Sequence, residues 1–493
     1  MKLVIKPIRL EAGRPIAFIH KNFAERFNIH EGDRVELLYR NRILITVTNI
    51  LEKFIKKNEI ALSNEALAAL DTAIGEKLEL SLVPEPISAS FIVKKMAGHT
   101  LTKEEITTII NDIVNNTLNE AEIAYFVSSV YHAGMSLKET EHLIRAIVNT
   151  GKKLSWHRKK IADKHSIGGV AGNRTTPIVV SIAAAAGIII PKTSSRAITS
   201  AAGTADVIET LANVSLSLTE LRDIVKKTNA CLAWGGTLGL APADDRLIRI
   251  ERFLNIDPES QLIASILAKK IAAGSTHILL DIPAGNGAKV SLREAQKLRE
   301  KFHILGKRFN LTLKIVITDG TQPIGNGIGP ALEMRDVLRV LTRTNPPRDL
   351  EEKSLFLAGI ILEMMQKAPR NRGKEYAQKI LDSGAAYKKF EEIICAQGKK
   401  RSLLKPAKLT YIVGAQKNAQ IASINNKHIN LLARILGCPT TPSAGIYIHK
   451  KRGDLVKKGE PILTFYAESP IKLTEAKKRF LLLNSVVYST KKR

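Results

Sequence analysis

The stretch Asp163-Lys-His-Ser-Ile-Gly-Gly-Val-Ala-Gly-Asn-Arg-Thr-Thr176 places a cation, an imidazole and a hydroxyl directly before a Gly-Gly pair and then opens a helix. Successive glycines allow backbone N–H groups to point at an oxyanion, and the N-terminus of the following helix adds positive potential. Lys164, Ser166 and Thr175 can also donate directly to a phosphate. A turn that merely needs glycine is the alternative for a lone Gly-Gly pair, but the lysine and hydroxyls around this one predict an anion site.

A second segment, Pro191-Lys-Thr-Ser-Ser-Arg-Ala-Ile-Thr-Ser-Ala-Ala-Gly-Thr-Ala-Asp206, repeats this pattern at the end of another predicted strand. A hydroxyl-rich, glycine-ended loop between a strand and a helix is a second cradle for an oxyanion. A surface loop rich in serine and threonine is the alternative. Two such loops in one segment of the chain favour anion binding for both.

Around these loops, short apolar strands alternate with helices from Lys160 to about Gly329, which is typical of an α/β domain. The apolar run Ile178–Ile190 is shorter than the ~20 residues of a membrane span and predicts a buried helix followed by a buried strand. The predicted strands are IIIPKTSS (188–195), HILLDIPAG (277–285) and LKIVITDG (313–320), and the predicted helices are Thr175–Ala186, Ala205–Leu211 and Leu262–Ala273.

The segments before this α/β region have different patterns. Residues 1–85 alternate short apolar runs with turn residues, which predicts a β-rich domain, and Pro84-Glu85-Pro86 is typical of a linker. Capping-box patterns begin at Thr102, Asn119 and Ser136, each followed three residues later by glutamate. They predict three short amphipathic helices.

Toward the C-terminus, residues 331–395 are predicted to be mostly helical, and an alternating β pattern returns from Lys408, with a helix over Ile424–Leu436. The sequence therefore predicts an α/β multidomain protein, in which a helical subdomain and an α/β domain are flanked by N-terminal and C-terminal β-rich domains. The predicted domains are residues 1–85, 90–153, 154–395 and 408–493.

The charge of the chain bears on its partners. The 493 residues include 75 Lys and Arg against 47 Asp and Glu, a formal net charge of +28. This excess fits solvated surface charge, steering of small anionic substrates into a positive cleft, or a nucleic-acid partner. Few aromatic residues are interleaved with the basic clusters, and no RNA- or DNA-binding motif is present, so a nucleic-acid partner is the remote alternative.

Other features bear on compartment and cofactors. The three cysteines, Cys231, Cys395 and Cys438, lie too far apart for a disulfide framework or a CxxC pair. The N-terminal residues have neither the apolar core nor the cleavage site of a secretory signal. No cluster of His, Cys or carboxylate residues has metal-ligand spacing. We therefore expect a cytoplasmic protein that needs no cofactor, metal or membrane.

Five ordered motifs resemble those of the thymidine phosphorylase family, and in particular its second type, which also contains the archaeal AMP phosphorylases. The N-terminal IKPIRLEAGRPIAFIH resembles the bacterial branch of that type, whose members carry the name "putative thymidine phosphorylase". The resemblance covers essentially the whole chain. The motifs are KHSIGGVAGNRTT (164–176), SSRAITSAAGTAD (194–206), ADDRLIRIERFLNID (243–257), LIASILAKKIAAG (262–274) and TDGTQPIGNGIGPALE (318–333).

The resemblance implies an active-site cleft between the helical and α/β domains and a C-terminal domain similar to a lipoyl-type hammerhead. It also implies that His165 faces the base and is a candidate to protonate it. Ser265 and Lys269, four residues apart and hence on one helix face, match the family's base-recognition pair. The implied phosphate ligands are Lys164, Ser166, Thr175, Ser194 and Thr204, with the backbone of Gly168 and Gly169.

The resemblance to AMP phosphorylases adds further candidates. Asp257 matches the aspartate proposed there as proton donor to the leaving base, and the family's base-binding arginine maps to Arg249, with Arg252 as a rival. This chain has SSRA where the bacterial thymidine enzymes have SGRG. The positions that match nucleotide-binding residues, and are candidates to hold a 5′-phosphate or the sugar, are Ser195, Arg196, Ala197, Ile198, Thr199, Ser200 and Lys289. Arg196 has an alternative role, which is to tie the loop to a carboxylate such as Asp206.

The resemblance implies a glycosyltransferase that carries out reversible phosphorolysis of a pyrimidine nucleoside, converting thymidine and phosphate to thymine and 2-deoxyribose 1-phosphate. The alternative is phosphorolysis of AMP, CMP or UMP to the base and ribose 1,5-bisphosphate. The expected partners are a nucleoside or nucleotide, inorganic phosphate, and further copies of the chain in a dimer or larger homo-oligomer. A phosphoribosyltransferase of this fold would need an acidic pair for diphosphate and Mg²⁺, which the sequence lacks. A catalytically inactive member is disfavoured because every phosphate position keeps a donor.

Overall fold

The structure, a computed structural model, describes residues 1–6, 8–157, 160–197, 200–400 and 404–489. The chain divides into two compact units, Met1–Gly151 with Ala241–Ala268, and Lys152–Leu240 with Lys269–Arg493. Residues 241–268, which lie inside the predicted α/β domain, therefore belong to the unit that contains the N-terminal segments. In the described part of the chain, every helix is too short or too polar to span a lipid bilayer.

The first unit begins with the elements β1 (Lys2–Lys6), β2 (Ile16–His20), α1 (Lys21–Arg26), β3 (Arg34–Tyr39), β4 (Arg42–Leu51), β5 (Glu59–Leu62), α2 (Asn64–Leu70) and β6 (Lys77–Leu82). The strands form a closed β-barrel in the order β1-β5-β2-β4-β3-β6. Alternation along the strands sends every second side chain inward, as in β3, where Val35, Leu37 and Tyr39 are buried. The buried residues of the barrel core all lie between Leu3 and Leu80.

The described residues 86–151 form the four helices α3 (Ile87–Met96), α4 (Lys103–Val114), α5 (Glu120–Ala133) and α6 (Leu137–Thr150). The predicted capping boxes are confirmed: the side chains of Thr102, Asn119 and Ser136 each accept from the N–H of the third helical residue, and the glutamate there accepts from the cap N–H in return. The sequence did not predict α3, because it starts after Pro86, which has no capping side chain and leaves no signature.

The central elements are β7 (Ala162–Ser166), α7 (Thr175–Ala185), β8 (Ile190–Ser194), α8 (Thr204–Glu209), α9 (Leu218–Thr228), β9 (Ala230–Trp234), α10 (Pro242–Leu254), α11 (Glu259–Ala272), β10 (His277–Ala284), α12 (Leu292–Arg308) and β11 (Thr312–Asp319). The predicted buried helix and strand over Ile178–Ile190 are confirmed as α7 and the start of β8. The described residues of the second unit form two parallel sheets, β11-β10-β7 and β8-β9. Since loops that follow parallel strands emerge at one edge of a sheet, the loops after β7 and β10 are neighbours.

The rest of the second unit is helical and then β-rich. Helix α7 is buried in a large apolar core that also includes residues of the following helices. The C-terminal strands form two antiparallel sheets, β12-β15-β17-β13 and β16-β14-β18. The elements are β12 (Gly327–Ile328), α13 (Pro330–Leu341), α14 (Arg348–Met364), α15 (Gly373–Asp382), α16 (Ala385–Ala396), β13 (Leu409–Gly414), β14 (Ala419–Ile424), α17 (Asn426–Leu436), β15 (Gly445–Ile448), β16 (Leu455–Val456), β17 (Pro461–Ala467), α18 (Pro470–Leu482) and β18 (Val486–Ser489).

Candidate active site

Lys164 lies on β7 and is almost completely buried, with 1% of its surface exposed. Its Nζ donates to Thr175 Oγ1 at 2.9 Å and lies 3.4 Å from Thr176 Oγ1, so it bridges the strand to the first turn of α7. Burial lowers the pKa of Lys164 to about 8, although the nearby Asp281 carboxylate acts in the opposite direction. The side chain is therefore largely a buried ammonium at neutral pH.

The backbone conformation and the close packing of the loop after β7 require its glycines. Gly168 and Gly169 both have φ of +89°, a conformation that strongly favours glycine. A Cβ on Gly169 would lie 2.7 Å from Lys289 Cβ and 2.8 Å from Lys289 N, so the loop packs directly against the backbone that follows β10. At the start of the loop, Ser166 Oγ accepts from Asn173 Nδ2 at 3.5 Å. The predicted residues of this loop therefore lie in one tightly packed turn.

The second predicted loop begins at the end of β8. The Ser194 hydroxyl is buried and has no hydrogen-bond partner among the described residues. At the other end of the loop, Thr204 opens α8, and its Oγ1 accepts from Arg174 Nη1 at 2.7 Å. Gly203 is required by space, because a Cβ there would lie 2.5 Å from Ser195 O and Arg196 C. Arg174 directly precedes α7, so its guanidinium connects the two loops.

Buried charges that the sequence analysis missed lie around Lys164 and His165. Asp163 Oδ2 lies 2.7 Å from Lys270 Nζ, and Asp163 Oδ1 lies 3.4 Å from Lys192 Nζ, with all three side chains buried. Although burial opposes ionisation, Lys192 and Lys270 together lower the pKa of Asp163. Burial in turn lowers the pKa of Lys192. Lys192 lies in the second loop segment and Lys270 in the LIASILAKKIAAG motif, but neither was assigned a role from the sequence. Only their positions beside apolar strand and helix residues could have indicated burial.

A second ion pair also lies near Lys164. Asp281, on β10, lies 3.2 Å from Lys353 Nζ on α14, and its Oδ1 accepts from Thr318 at 2.6 Å. Although burial opposes ionisation, Lys353 and Lys164 lower the pKa of Asp281. The surroundings of Lys164 thus contain more positive than negative charge, which favours an anion.

His165 follows Lys164 and is only partly exposed. Burial, followed by the positive charges of Lys270 and Lys192, holds the pKa of His165 well below its usual range. Its imidazole is therefore neutral at neutral pH. It can offer one N–H to a substrate, but it has no additional proton to transfer, in contrast to the expected protonation of the base.

Arg196 is engaged by carboxylates rather than standing open to solvent. Its Nη1 donates to Asp206 Oδ1 at 3.1 Å and to Glu209 Oε2 at 2.5 Å, Nη2 donates to Glu209 Oε1 at 2.9 Å, and the guanidinium lies 4.5 Å from the Trp234 ring centroid. The hydrogen bonds to Glu209 raise the pKa of Arg196 further. These contacts fit the alternative role, in which Arg196 ties the loop to acidic residues.

The other predicted 5′ positions are distributed along the same loop. The Ala197 N–H donates to Asp206 Oδ2 at 2.7 Å, the Ser200 hydroxyl donates to Ala202 O at 2.9 Å, and Ser195 is exposed. Lys289 is exposed beside Gly169. Ile198 and Thr199 lie outside the described residues.

Several candidates for base recognition belong to the first unit. Ser265, on α11, donates to Asp244 Oδ2 at 2.9 Å. Arg249 Nη1 donates to Gly13 O at 2.8 Å, and its Nη2 lies 3.3 Å from Glu120 Oε1, so this arginine is bound to the barrel and to α5. Its expected role at the base is therefore not favoured by its contacts. Asp257 and the rival Arg252 are exposed.

Lys269, four residues after Ser265 on α11, belongs to the second unit and is partly exposed. Its charge contributes to lowering the pKa of His165, after burial and three other lysines. The structure therefore brings Lys269 into the electrostatic surroundings of His165. Within the described ranges, no group of three or more His, Cys, Asp or Glu residues is arranged to hold a metal ion.

Three parts of the chain match known families. Residues 89–151 match the helical bundle domain of a glycosyl transferase family, residues 158–387 match its a/b domain, and residues 420–483 match the pyrimidine nucleoside phosphorylase C-terminal domain. The fold is similar to that of anthranilate phosphoribosyltransferase from Thermus thermophilus, with a TM-score of 0.52 and 17% identity over 62% of this chain and 98% of that chain. The class is therefore that of a glycosyltransferase with a helical bundle and an α/β domain.

Sequence relatives narrow this class. The AMP phosphorylases of Pyrococcus furiosus and Pyrococcus horikoshii are 45% and 48% identical to this chain, each over 97% of it and 95% of their own length. The "putative thymidine phosphorylase" of Legionella pneumophila is 42% identical over 91% of this chain and 87% of its own length. The chain belongs to the pyrimidine nucleoside phosphorylase family, which confirms the resemblance seen in its motifs.

Proposed function

We propose that the protein catalyses the reversible phosphorolysis of a pyrimidine nucleoside, in which thymidine and inorganic phosphate give thymine and 2-deoxyribose 1-phosphate. The observation that carries this proposal is the arrangement around Lys164: a buried ammonium and the hydroxyls of Thr175, Ser194 and Thr204 lie in and beside two glycine-dependent loops. Such a set of donors suits a tetrahedral oxyanion better than a neutral ligand. No cofactor or metal ion is part of the proposal.

In the proposed reaction, a phosphate oxygen attacks C1′ while the bond between C1′ and the base nitrogen breaks. The electron pair of that bond goes to the base, and the new C1′–O bond gives the sugar 1-phosphate. Lys164 and the hydroxyl donors hold the phosphate as an anion that faces the positive charge developing at C1′. Positioned donors of this kind contribute on the order of 10²–10³-fold each to the rate.

The base needs stabilisation as it leaves with negative charge. His165 is neutral, so its proposed role is to donate an N–H hydrogen bond to the base, with Lys269 as the cationic neighbour. We further propose Ser265, on the same helix, as the second residue of base recognition. The leaving pyrimidine anion then takes its proton from water or from Asp257, the carboxyl group that the family resemblance suggests. General-acid help is typically worth about 10²–10⁴-fold.

The contacts of Arg196 favour a nucleoside over a nucleoside monophosphate. A 5′-phosphate would bring a second dianion to the sugar and would need a cation with open donors. Arg196 instead donates to Asp206 and Glu209. A neutral 5′-hydroxyl makes no such demand, and Ser195 or Ser200 suffices as its partner.

Phosphorolysis of AMP, CMP or UMP is the second candidate function. It is favoured by the relatives named AMP phosphorylase, which match nearly the whole chain at 45% and 48% identity. In that case Lys289, which is exposed beside Gly169, is the cation we propose for the 5′-phosphate.

The experiment that separates the candidates is base release from thymidine, uridine, AMP, CMP and UMP, each with and without inorganic phosphate. The first proposal predicts a kcat/KM for thymidine or uridine at least tenfold above that for any monophosphate. A higher value for AMP, with Lys289→Ala impairing AMP but not thymidine, would establish the second candidate. Lys297→Ala, an exposed lysine on α12, is the matched control.

A further inference from the structure

Arg174 is not among the proposed phosphate ligands, but its guanidinium contacts one of them, Thr204. The Arg174 side chain is 10% exposed and contacts both α13 and the end of the loop after β8. Nε donates to Glu333 Oε2 on α13 at 2.7 Å, Nη1 donates to Thr204 Oγ1 at 2.7 Å, and Nη2 donates to Ala202 O at 2.9 Å. Arg174 itself directly precedes α7, so one guanidinium joins the loop after β7, the loop after β8 and α13.

The contact with Thr204 fixes what that hydroxyl can do. A threonine hydroxyl has one hydrogen to donate and two lone pairs that accept. Arg174 occupies a lone pair of Thr204, and no acceptor for the Thr204 hydrogen is present among the described residues. The hydrogen is therefore left to donate to an anion, and the adjacent positive charge makes it a stronger donor.

Thr175 shows the same arrangement in the other loop. Its Oγ1 accepts from Lys164 Nζ at 2.9 Å, and the Thr175 side chain is fully buried. Each loop thus ends in a threonine whose oxygen accepts from a buried cation, Thr175 from Lys164 and Thr204 from Arg174. The two cations differ in one respect: Lys164 is proposed as a ligand of phosphate, whereas three N–H groups of Arg174 are already occupied.

Glu333 keeps Arg174 in this position. The carboxylate is 1% exposed, and its second oxygen accepts from Gly329 N–H at 3.0 Å, so both oxygens have partners. A buried arginine–carboxylate pair with complete hydrogen bonding holds its geometry firmly, because moving either member leaves an uncompensated charge. The position of Thr204 Oγ1 is thereby tied to α13 as well as to α7.

We propose that Arg174 is a positioning residue for the phosphate site, which holds the two loops in one geometry and makes Thr204 a dedicated hydrogen-bond donor to the oxyanion. The inference rests on the proposed function, since it assumes that the loops bind phosphate. Arg174 acts through Thr204 and does not itself contact the substrate.

A double-mutant cycle on the full chain tests this. Phosphate binding is measured by calorimetry, and the KM for phosphate and for nucleoside by kinetics, for Arg174→Met, Thr204→Val and the double variant. A hydrogen bond to a charged group corresponds to about 10- to 100-fold in affinity. We expect each single variant to weaken phosphate binding by that factor and to leave the KM for nucleoside nearly unchanged. The double variant should be no weaker than Arg174→Met alone.

Three further variants make the result specific. Thr204→Ser keeps the hydroxyl and should bind phosphate within about threefold of wild type, since the donor and acceptor inventory is unchanged. Arg174→Ala should regain phosphate affinity when guanidinium is added at millimolar concentration. Arg339→Met, which removes an arginine of α13 that contacts Asp336 and Tyr447, is the control and should bind phosphate normally. If thermal melts show that Arg174→Met is unfolded, Arg174→Lys and Arg174→Gln replace it in the double-mutant cycle.

The outcomes distinguish a failure of the proposed function from a failure of the inference about Arg174. If wild type itself does not bind inorganic phosphate, the proposed function fails. If wild type binds phosphate but the losses in the cycle multiply independently, or guanidinium gives no rescue, Arg174 is only a structural residue and the inference is wrong.

Discussion

Lys164 is buried in the middle of the parallel strand β7, and its ammonium group is 2.9 Å from the Thr175 hydroxyl. Burying a charge is costly unless partners compensate for it, and here Asp281 provides part of that compensation. A dianion in the loops would provide the rest. The proposed affinity for phosphate therefore depends on the Lys164 ammonium group. Its buried charge is costly in the free protein and is stabilised when phosphate binds.

The first residue-scale prediction is that Lys164→Ala raises the KM for phosphate and lowers kcat by about 10²-fold or more, because the oxyanion loses a buried cation. Steady-state kinetics at varied phosphate concentration measures both. Lys297→Ala, on the exposed face of α12, should behave as wild type. Near-normal phosphate kinetics in Lys164→Ala would remove this lysine from the site.

A pH prediction follows from the same residue. Because the pKa of Lys164 is lowered to about 8, the free protein loses this charge as the pH rises through about 8. Expressed as the concentration of the phosphate dianion, the KM should therefore be nearly constant below the pKa of Lys164 and rise by about tenfold per pH unit well above it. Lys164→Arg keeps its proton throughout this range, so any activity it retains should lack the alkaline increase. A KM for phosphate that stays flat up to pH 9.5 in wild type would contradict the assignment.

The contacts of Arg196 give a third residue-scale prediction. If this arginine orders the loop through Asp206 and Glu209, then Arg196→Gln should lower kcat/KM for thymidine and for AMP by similar factors, up to about 100-fold, through misplaced loop groups. Glu209→Gln should have the same effect. A loss confined to AMP would instead show that Arg196 binds the 5′-phosphate.

Among the secondary-structure elements, those with a local sequence pattern could be predicted. The capping boxes at Thr102, Asn119 and Ser136 and the buried helix of α7 follow from spacing and hydrophobic runs, and the structure confirms them. Helix α3 lacks such a signature.

The glycine loops and their hydroxyls could likewise be picked out from the sequence as a candidate site. The roles of Lys192, Lys270 and Lys353 could not, because each pairs with a buried carboxylate that is distant in sequence. Likewise, nothing near Arg174 in the chain indicates Glu333, which is 159 positions away.

The barrel has its own hydrophobic core, whose buried residues all lie between Leu3 and Leu80. It contributes none of the proposed phosphate ligands, and Phe54 and Ile43 are large apolar side chains exposed at 84% and 63%. We predict that the protein is a homo-oligomer assembled through this barrel. Light scattering on a chain lacking residues 1–82 should therefore show fewer chains per particle than the full chain at the same concentration. An unchanged number of chains per particle would contradict this role.

At the scale of the whole molecule, the net charge of +28 and the buried lysines favour the capture of anions. The chain belongs to the pyrimidine nucleoside phosphorylase family, within which the relatives carry two different names. We propose a cytoplasmic enzyme of nucleoside salvage, with phosphate and a nucleoside as its small-molecule partners. In the proposed reaction, phosphate is the nucleophile.

Phosphorus-31 NMR of the purified protein with thymidine and inorganic phosphate tests whether phosphate is the nucleophile, with the free base followed in parallel by chromatography. We expect base and a sugar 1-phosphate resonance to appear in equal amounts, both to be absent without phosphate, and Lys164→Ala to abolish both. Base release that proceeds without phosphate and yields free sugar, or no release from any of the five nucleosides and nucleotides, would contradict it.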